Sequence, residues 1–183
     1  MYFKKPGTCN TEATLTIAKK TALERGVKQM VIASTSGSTG LWAAELCRDE
    51  PFVIIVVTHN RGFRESETQE FDEVIRQKIE KLGGKVYTGT MVLRGLGTAI
   101  RNQGGYTHEQ AVADTLRMMG QGMKVCVEIT AMVYDGGLIT PQDVIAVAGT
   151  GRGADTAAIL KPYSSNNFFQ IKIREILAKP INF

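Results

Sequence analysis

Short apolar runs alternate with amphipathic segments along most of the 183-residue chain, and this alternation constrains the fold more than any other feature. The runs are rich in β-branched residues and lack a polar face, which is typical of strands buried on both sides of a sheet. We place strands at 29–33, 52–57, 85–88, 143–148 and 157–160. Between these strands, apolar residues recur at every third or fourth position, which predicts helices.

The predicted helices cover 11–25, 39–48, 68–82, 96–101 and 108–119, and Gly26 ends the first of them. Residues 123–134 fit a strand or a helix, and we choose a helix because 143–148 is plainly a strand soon afterwards. The connection 149–155 is too short for a crossover helix, so the last strand pair should be antiparallel. The whole chain, 1–183, is therefore predicted to be one three-layer α/β/α domain with a mostly parallel sheet.

The most informative loop leaves the first of these strands and enters a helix. It reads Ser34-Thr35-Ser36-Gly37-Ser38-Thr39-Gly40. Unpaired N–H groups at a helix N-terminus carry partial positive charge, and glycine lets the backbone approach an anion closely. One hydroxyl would suffice for a helix cap, and five exceed that need. A phosphate site is the interpretation that we favour over a simple capped turn.

The same loop excludes two common nucleotide sites. A Walker A loop needs a lysine, which is absent, so hydrolysis of ATP or GTP is not expected. The loop is also not a GxGxxG turn, which disfavours a dinucleotide site of the Rossmann type.

Five stretches carry a resemblance to a known family. They are the loop SerThrSerGlySerThr, KPGTCNTEATL at 5–15, VEIT at 127–130, VAGTGRGADTA at 147–157 and NNFF at 166–169. Together they resemble stand-alone archaeal and bacterial proteins that are similar to the C-terminal α/β domain of pyruvate kinase. In pyruvate kinase the matching loop holds a phosphate of a sugar-bisphosphate effector. The catalytic barrel of that enzyme would need several hundred more residues, so pyruvate kinase activity is not expected.

The resemblance implies a five-stranded sheet in the order 3-2-1-4-5, with strand 5 antiparallel. The chain reverses direction between strands 1 and 4 in that order, and ligands of open α/β sheets bind at such switch points. The phosphate loop and the loop 149–155 should therefore face one crevice.

Other polar residues are expected to line that crevice, and each has a plainer alternative. Thr58, His59 and Asn60 follow the second strand, where His59 could also be an ordinary loop residue. Gly151 and Arg152 could close over a phosphate or form a solvated turn. Asn10 and Thr11 match the NTE motif of the family, although helix capping would explain them equally well.

Glu128 is a lone carboxylate in an apolar segment, so burial should give it a partner or a raised pKa. Hydroxyl groups of a ligand would suit it, and a salt bridge to an arginine is the alternative. The neighbouring Cys126 is expected to do no more than pack.

The amino-acid composition excludes several other functional classes. Two histidines and three widely spaced cysteines give no metal cluster and no disulfide framework, so we expect no metal and a cytoplasmic location. A net charge of +4 without a basic run disfavours nucleic acid, and the longest apolar run is too short for a membrane span. The sequence leaves the oligomeric state open, a homo-oligomer included.

The function predicted from these features is the binding of a phosphorylated small molecule, with flavin mononucleotide (FMN) as the leading candidate. FMN rests on the family resemblance and not on residue spacing. A flavin-dependent oxidoreductase would follow from it; the alternative is a non-catalytic sensor or regulatory module for a sugar phosphate or nucleotide. A phosphotransfer enzyme is disfavoured because a base and a metal site are lacking. We expect Gly37→Asp, or Ser36 and Ser38 both changed to Asp, to abolish binding without unfolding the protein.

Overall fold

The computed structural model describes residues 1–64 and 68–183. The strands are β1 (Tyr2–Phe3), β2 (Gln29–Ala33), β3 (Val53–Thr58), β4 (Lys85–Thr88), β5 (Val144–Ala148), β6 (Thr156–Lys161) and β7 (Lys172–Pro180). The α-helices are α1 (Thr11–Arg25), α2 (Ser38–Leu46), α3 (Glu73–Lys81), α4 (Gly95–Asn102), α5 (His108–Arg117) and α6 (Gln121–Asp135). Two 3-10 turns lie at Thr8–Asn10 and Ser165–Gln170.

The strands form one mixed sheet in the order β1-β7-β6-β5-β2-β3-β4. Strands β2, β3, β4 and β5 are mutually parallel, whereas β6 is antiparallel to β5. The five predicted strands thus lie in the predicted order, 3-2-1-4-5, and the antiparallel direction of the fifth is confirmed. This order places the reversal of chain direction between β2 and β5.

The prediction of five strands was incomplete at the other side of the sheet. Strand β7 pairs antiparallel with β6, and the two-residue strand β1 pairs parallel with β7, so β6 is not an edge strand. Charged residues interrupt the apolar pattern of 172–180, and two register irregularities against β6 break its period of two. For these reasons residues 172–180 lack the strict alternation of apolar and polar side chains that is typical of a half-buried strand.

Alternate residues of each central strand pack into two different cores. Met30, Ile32 and Val56 face the core that α1, α2 and α3 cover. Val31 and Ile55 face the opposite core, which is covered mainly by α6. This arrangement explains why the middle residues of β2, β3 and β5 are apolar at consecutive positions, because both faces of the parallel sheet are buried. It also puts α2 and α6 on opposite faces of the sheet.

The helix chosen for 123–134 is confirmed as part of α6, of which most residues are buried. The helix predicted over 68–82 begins later, at Glu73. Asp72 is its N-cap, and its carboxylate accepts a hydrogen bond of 3.0 Å from the N–H of Ile75. Phe71 precedes this cap and is buried, so its apolar side chain reflects packing into the core and not a turn of the helix. In the part of the chain described, we find no helix of the length and apolarity that a bilayer crossing requires.

Candidate functional site

A cavity of about 770 Å³ opens at the carboxyl ends of the parallel strands. The loops that follow β2, β3 and β5 all reach it, together with the segment after β4 and the first turn of α6. The predicted site residues that line it are Thr11, Ser34, Thr35, Ser36, Ser38, Thr39, Thr58, His59, Gly151 and Arg152. Four predicted residues lie beside the cavity lining and not in it: Asn10, Gly37, Asn60 and Glu128.

The loop after β2 is fixed by the backbone and side chain of its first residue. The N–H of Ser34 donates to the carbonyl oxygen of Val57 on β3 at 2.9 Å. The hydroxyl oxygen of Ser34 accepts from the N–H of Gly40, in the first turn of α2, at 3.2 Å. Ser34 is buried, whereas Ser36 and Ser38 are exposed with their hydroxyl oxygens 3.4 Å apart. Ser34 therefore shapes the loop, and the two outer hydroxyls remain accessible.

The N–H groups from Thr35 to Thr39 form the electropositive part of this loop. Among the residues that the structure describes, none of these five groups donates a hydrogen bond within the chain. They include the N–H groups at the N-terminus of α2, where the helix dipole adds partial positive charge. Such a group of donors is suited to an anion that accepts several hydrogen bonds at once.

Two glycines make this turn feasible. Gly37 has φ +104°, and a Cβ built there would lie 2.6 Å from Ile75 Cγ2. A Cβ on Gly40 would lie 2.4 Å from Val56 Cγ1, so α2 approaches the sheet more closely than any larger residue would allow. The expectation that Gly37→Asp leaves the fold intact is therefore wrong, since that side chain meets both backbone strain and a steric clash. Substitution of Ser36 and Ser38 is the cleaner probe.

The loop after β5 is held by the buried carboxylate of Asp155. Asp155 Oδ2 accepts from the N–H groups of Gly7 at 3.0 Å and Thr150 at 3.1 Å. Thr11 Oγ1 accepts from the N–H of Ala154 at 3.0 Å, and a Cβ on Gly153 would overlap that same oxygen. These contacts join the loop to the start of α1 and leave Arg152 exposed at the cavity.

Thr11 is thus a structural partner of the 149–155 loop. Asn10 occupies the N-cap position of α1, but its side chain makes no capping hydrogen bond. Instead, Asn10 Nδ2 donates to the carbonyl oxygen of Lys5 at 2.8 Å. The explanation that the Asn10 side chain caps the helix is therefore wrong. The side chain instead holds the segment that precedes α1.

Two rings of the loop after β3 and an arginine of the segment after β4 form a stack of three planar groups. The rings of His59 and Phe63 lie 3.6 Å apart at an angle of 22°, and the guanidinium carbon of Arg94 lies 4.1 Å from the centroid of the Phe63 ring. Since two groups cannot share one face at these distances, Phe63 lies between them. His59 Nδ1 is also 2.8 Å from Glu70 Oε2.

The two neighbours of His59 make local contacts. The hydroxyl of Thr58 lies 3.0 Å from the carbonyl oxygen of His59, and Asn60 Nδ2 donates to the carbonyl oxygen of Arg61 at 2.7 Å. Of the three residues predicted to line the cavity here, Thr58 and His59 do so, whereas the Asn60 side chain contacts its own loop.

Glu128 is completely buried and has partners within the chain. Its Oε1 accepts from the N–H of Leu93 at 2.8 Å, and its Oε2 pairs with Lys124 Nζ one turn earlier on α6. The salt bridge predicted with an arginine is therefore made with a lysine. Beside it, burial raises the pKa of the Cys126 thiol, which fits a packing role.

The structure adds a set of cations that sequence reasoning missed: Arg64, Arg94, Arg117 and Lys124. Lys124 is 2% exposed, and its burial lowers the pKa of its ammonium group despite the opposing effect of Glu128. Burial also lowers the pKa of Arg94. No motif links these residues, although the spacing of Lys124 and Glu128 on an apolar helix was a readable signal.

Comparison with known families is informative at this point. Residues 12–161 match the family model described as pyruvate kinase, alpha/beta domain. The chain belongs to the pyruvate kinase alpha/beta domain family. The match includes the loop after β2, the loop after β5 and the whole of α6, so the cavity of this pyruvate kinase-like domain lies almost entirely within the family region. Strands β1 and β7 lie outside it.

The pair formed by Lys124 and Glu128 makes stability depend on pH in a specific way. Glu128→Gln should cost about 3–5 kcal/mol at pH 7, because it leaves a buried ammonium group without a counter-charge. Without Glu128 the pKa of Lys124 falls further below its ordinary value of 10.5, so the unfolded chain binds more protons. Stability of the variant should then rise as pH increases toward that value, and urea unfolding at a series of pH values measures it.

The double variant Lys124→Met/Glu128→Gln is the control, since it removes the buried charge together with its partner. Its stability should lack the added rise with pH. A single variant that unfolds at the same urea concentration as the unmodified protein at pH 7 would contradict the pairing.

Proposed function

We propose that the cavity binds a phosphorylated small molecule, with the phosphate against the loop from Ser34 to Thr39. The observation that carries the proposal is the group of N–H donors from Thr35 to Thr39, which donate to no acceptor among the described residues. Exposed hydroxyls of Ser36 and Ser38 and the guanidinium of Arg152 flank the same cavity. Charge-assisted hydrogen bonds of this kind contribute about 1.5–3 kcal/mol each, so several together would hold a phosphate monoester.

FMN is the leading candidate within this class. A volume of about 770 Å³ is within the range of pockets for cofactors, about 300–1,000 Å³. Trp42, one turn into α2, lines the cavity and is 41% exposed, so its indole is available to a flat ring. Phe63 is less available because His59 and Arg94 flank its ring. Tyr134 on α6 is not part of the lining and is not proposed as a ring contact.

The structure changes which side chains we propose as contacts for the hydroxyl groups of FMN. Both oxygens of the Glu128 carboxylate have partners within the chain, so Glu128 would act on a ligand through Lys124. Thr58 and His59 lie at the cavity and remain the proposed contacts, whereas the Asn60 side chain faces its own loop.

A bound flavin would supply redox chemistry, and the protein would then be a flavin-dependent oxidoreductase. The residues of this chain would position the phosphate and pack against the ring.

The alternative is a sensor or regulatory module without chemistry. One observation favours it: the charged side chains that line the cavity are five cations and one carboxylate, namely Arg64, Arg94, Arg117, Lys124, Arg152 and Glu70. Such a lining binds an anion without supplying a base to it. His59 contacts Glu70 through Nδ1, so acid–base chemistry at this cavity would have to use its Nε2.

Titration with FMN separates the candidates, and Trp42 provides the signal because it is the single tryptophan of the chain. FMN should quench its fluorescence and raise the melting temperature. Trp42→Ala, measured by calorimetry because it lacks the fluorescent side chain, should bind FMN at least several-fold more weakly and inorganic phosphate equally well. Stabilisation by a sugar bisphosphate but not by FMN would favour the regulatory module. Reduction of bound flavin by NADH or NADPH at a useful rate would favour the oxidoreductase.

The phosphate loop is tested by changing Ser36 and Ser38 both to Asp. Two negative charges should weaken a phosphorylated ligand by at least about 100-fold, because they repel the phosphate and replace two donors. The melting temperature should not fall, since both positions are exposed and acidic groups at a helix N-terminus are stabilising. Calorimetric titration and thermal unfolding measure the two effects.

The matched control is Gln77→Glu/Gln103→Glu, which adds the same two charges at exposed positions outside the cavity lining. It should bind like the unmodified protein. Equal affinity in the Ser36/Ser38 variant and this control would remove the loop from the proposal.

A further inference from the structure

Lys124 is a primary amine that lies buried in the wall of the cavity. It occupies the first turn of α6, is 2% exposed, and is one of the residues that line the cavity. Lysine is almost never buried to this extent unless its charge is paired, and a cation in the first turn of a helix also opposes the helix dipole. The proposed phosphate position does not account for this lysine, because α2 and α6 cover opposite faces of the sheet.

The surroundings of Lys124 shift its amine toward the neutral form. Burial lowers the pKa of the ammonium group, and the like charges of Arg117 and Arg94 act in the same direction. The negative charge of Glu128 opposes this shift without cancelling it. A lysine that is desolvated, or that lies beside another cation, is activated as a nucleophile because more of its amine is uncharged. Three further residues of α6 at the cavity are apolar: Val125, Ile129 and Met132.

Glu128 places a base directly beside this amine. The Oε2 atom of Glu128 contacts Lys124 Nζ, and its Oε1 atom is held by the N–H of Leu93 at 2.8 Å. Glu128 is completely buried, so its carboxylate is kept in one position. A carboxylate in contact with an ammonium group can take the proton that the amine must lose before it reacts, and can return that proton later.

We propose that Lys124 forms an imine with the carbonyl carbon of a phosphorylated aldehyde or ketone whose phosphate lies on the loop after β2. Glu128 takes one proton from the ammonium group, and the neutral amine adds to the carbonyl carbon. A second proton moves from nitrogen to the former carbonyl oxygen, and Glu128 returns the first proton to that hydroxyl. Water leaves, and a C=N bond has replaced the C=O bond.

The product carries the same charges as the starting pair. A protonated imine stands where the ammonium group stood, beside an ionised Glu128, so the buried ion pair of the wall is preserved. No oxidant or second reactant is consumed. This balance makes Lys124 suited to covalent chemistry on carbonyl compounds.

This inference rests on the proposed function, because the phosphate loop would hold the ligand while the amine reacts. FMN itself would not react, because the carbonyl groups of its ring are bonded to ring nitrogens and do not condense with amines. FMN would instead occupy the cavity reversibly and protect Lys124 from a phosphorylated aldehyde.

Reductive trapping with pyridoxal phosphate tests the inference. Sodium cyanoborohydride reduces an imine and spares an aldehyde, so the adduct becomes permanent and peptide mass spectrometry locates it. Exposed Lys20 and Lys78 are the reference within the same chain. Lys124 should be labelled at least about 10-fold faster than either, because hydrogen bonds to the phosphate hold the aldehyde in the cavity. Pyridoxal, which lacks the phosphate, should lose this preference, and an excess of FMN should protect Lys124.

Two variants and a matched control complete the experiment. Changing Ser36 and Ser38 both to Asp should reduce the labelling of Lys124 to that of the exposed lysines. Lys124→Met/Glu128→Gln should abolish the preferred adduct. Lys20→Met removes an exposed ammonium group outside the cavity lining and should leave the labelling of Lys124 unchanged. Circular dichroism should show that all three are folded, and the peptide map of the unmodified protein depends on none of them.

Pyridoxine phosphate, the alcohol that cannot form an imine, separates the two proposals. Labelling confined to exposed lysines would overturn the imine site whether or not pyridoxine phosphate binds. Equal labelling of Lys124 by pyridoxal and pyridoxal phosphate would also overturn it, because the phosphate loop would then have no part in the reaction. Failure of FMN, pyridoxine phosphate and sugar phosphates alike to bind would overturn the proposed function as well.

Discussion

The close approach of α2 to the sheet determines where this protein presents its free backbone donors. Gly40 lies against Val56, and Gly37 adopts a left-handed conformation against Ile75, so the chain turns sharply from β2 into the helix. Ser34 ties the start of that turn to β3 and to α2. Within the described residues, the N–H groups from Thr35 to Thr39 donate to no acceptor of the chain, and this turn lies at the cavity.

The loops around the cavity are held by different forces. Asp155 fixes the loop after β5 through backbone N–H groups, while the pair of Lys124 and Glu128 joins α6 to the segment after β4. The stack of His59, Phe63 and Arg94 connects the loop after β3 to that same segment. The loops around the cavity are therefore held by contacts within the chain, and the buried polar contacts among them are costly to break.

Sequence reasoning succeeded where a local pattern and the fold agree. Short, mostly apolar runs predicted the five strands β2 to β6, and the hydroxyl-rich loop was located correctly at the end of β2. It failed where tertiary contacts decide, as in β7, whose charged residues pair with β6 across an irregular register. The roles of Asp155 and Arg94 were also missed, because their partners lie far away in the sequence and only folding brings them together.

A structure of the protein with FMN or with a co-purified phosphorylated compound tests the central claim most directly. The account predicts phosphate oxygens within hydrogen-bond distance of the N–H groups from Thr35 to Thr39, with the rest of the molecule extending toward α6. A phosphate anchored on another face of the protein, with this turn free of ligand, would contradict it.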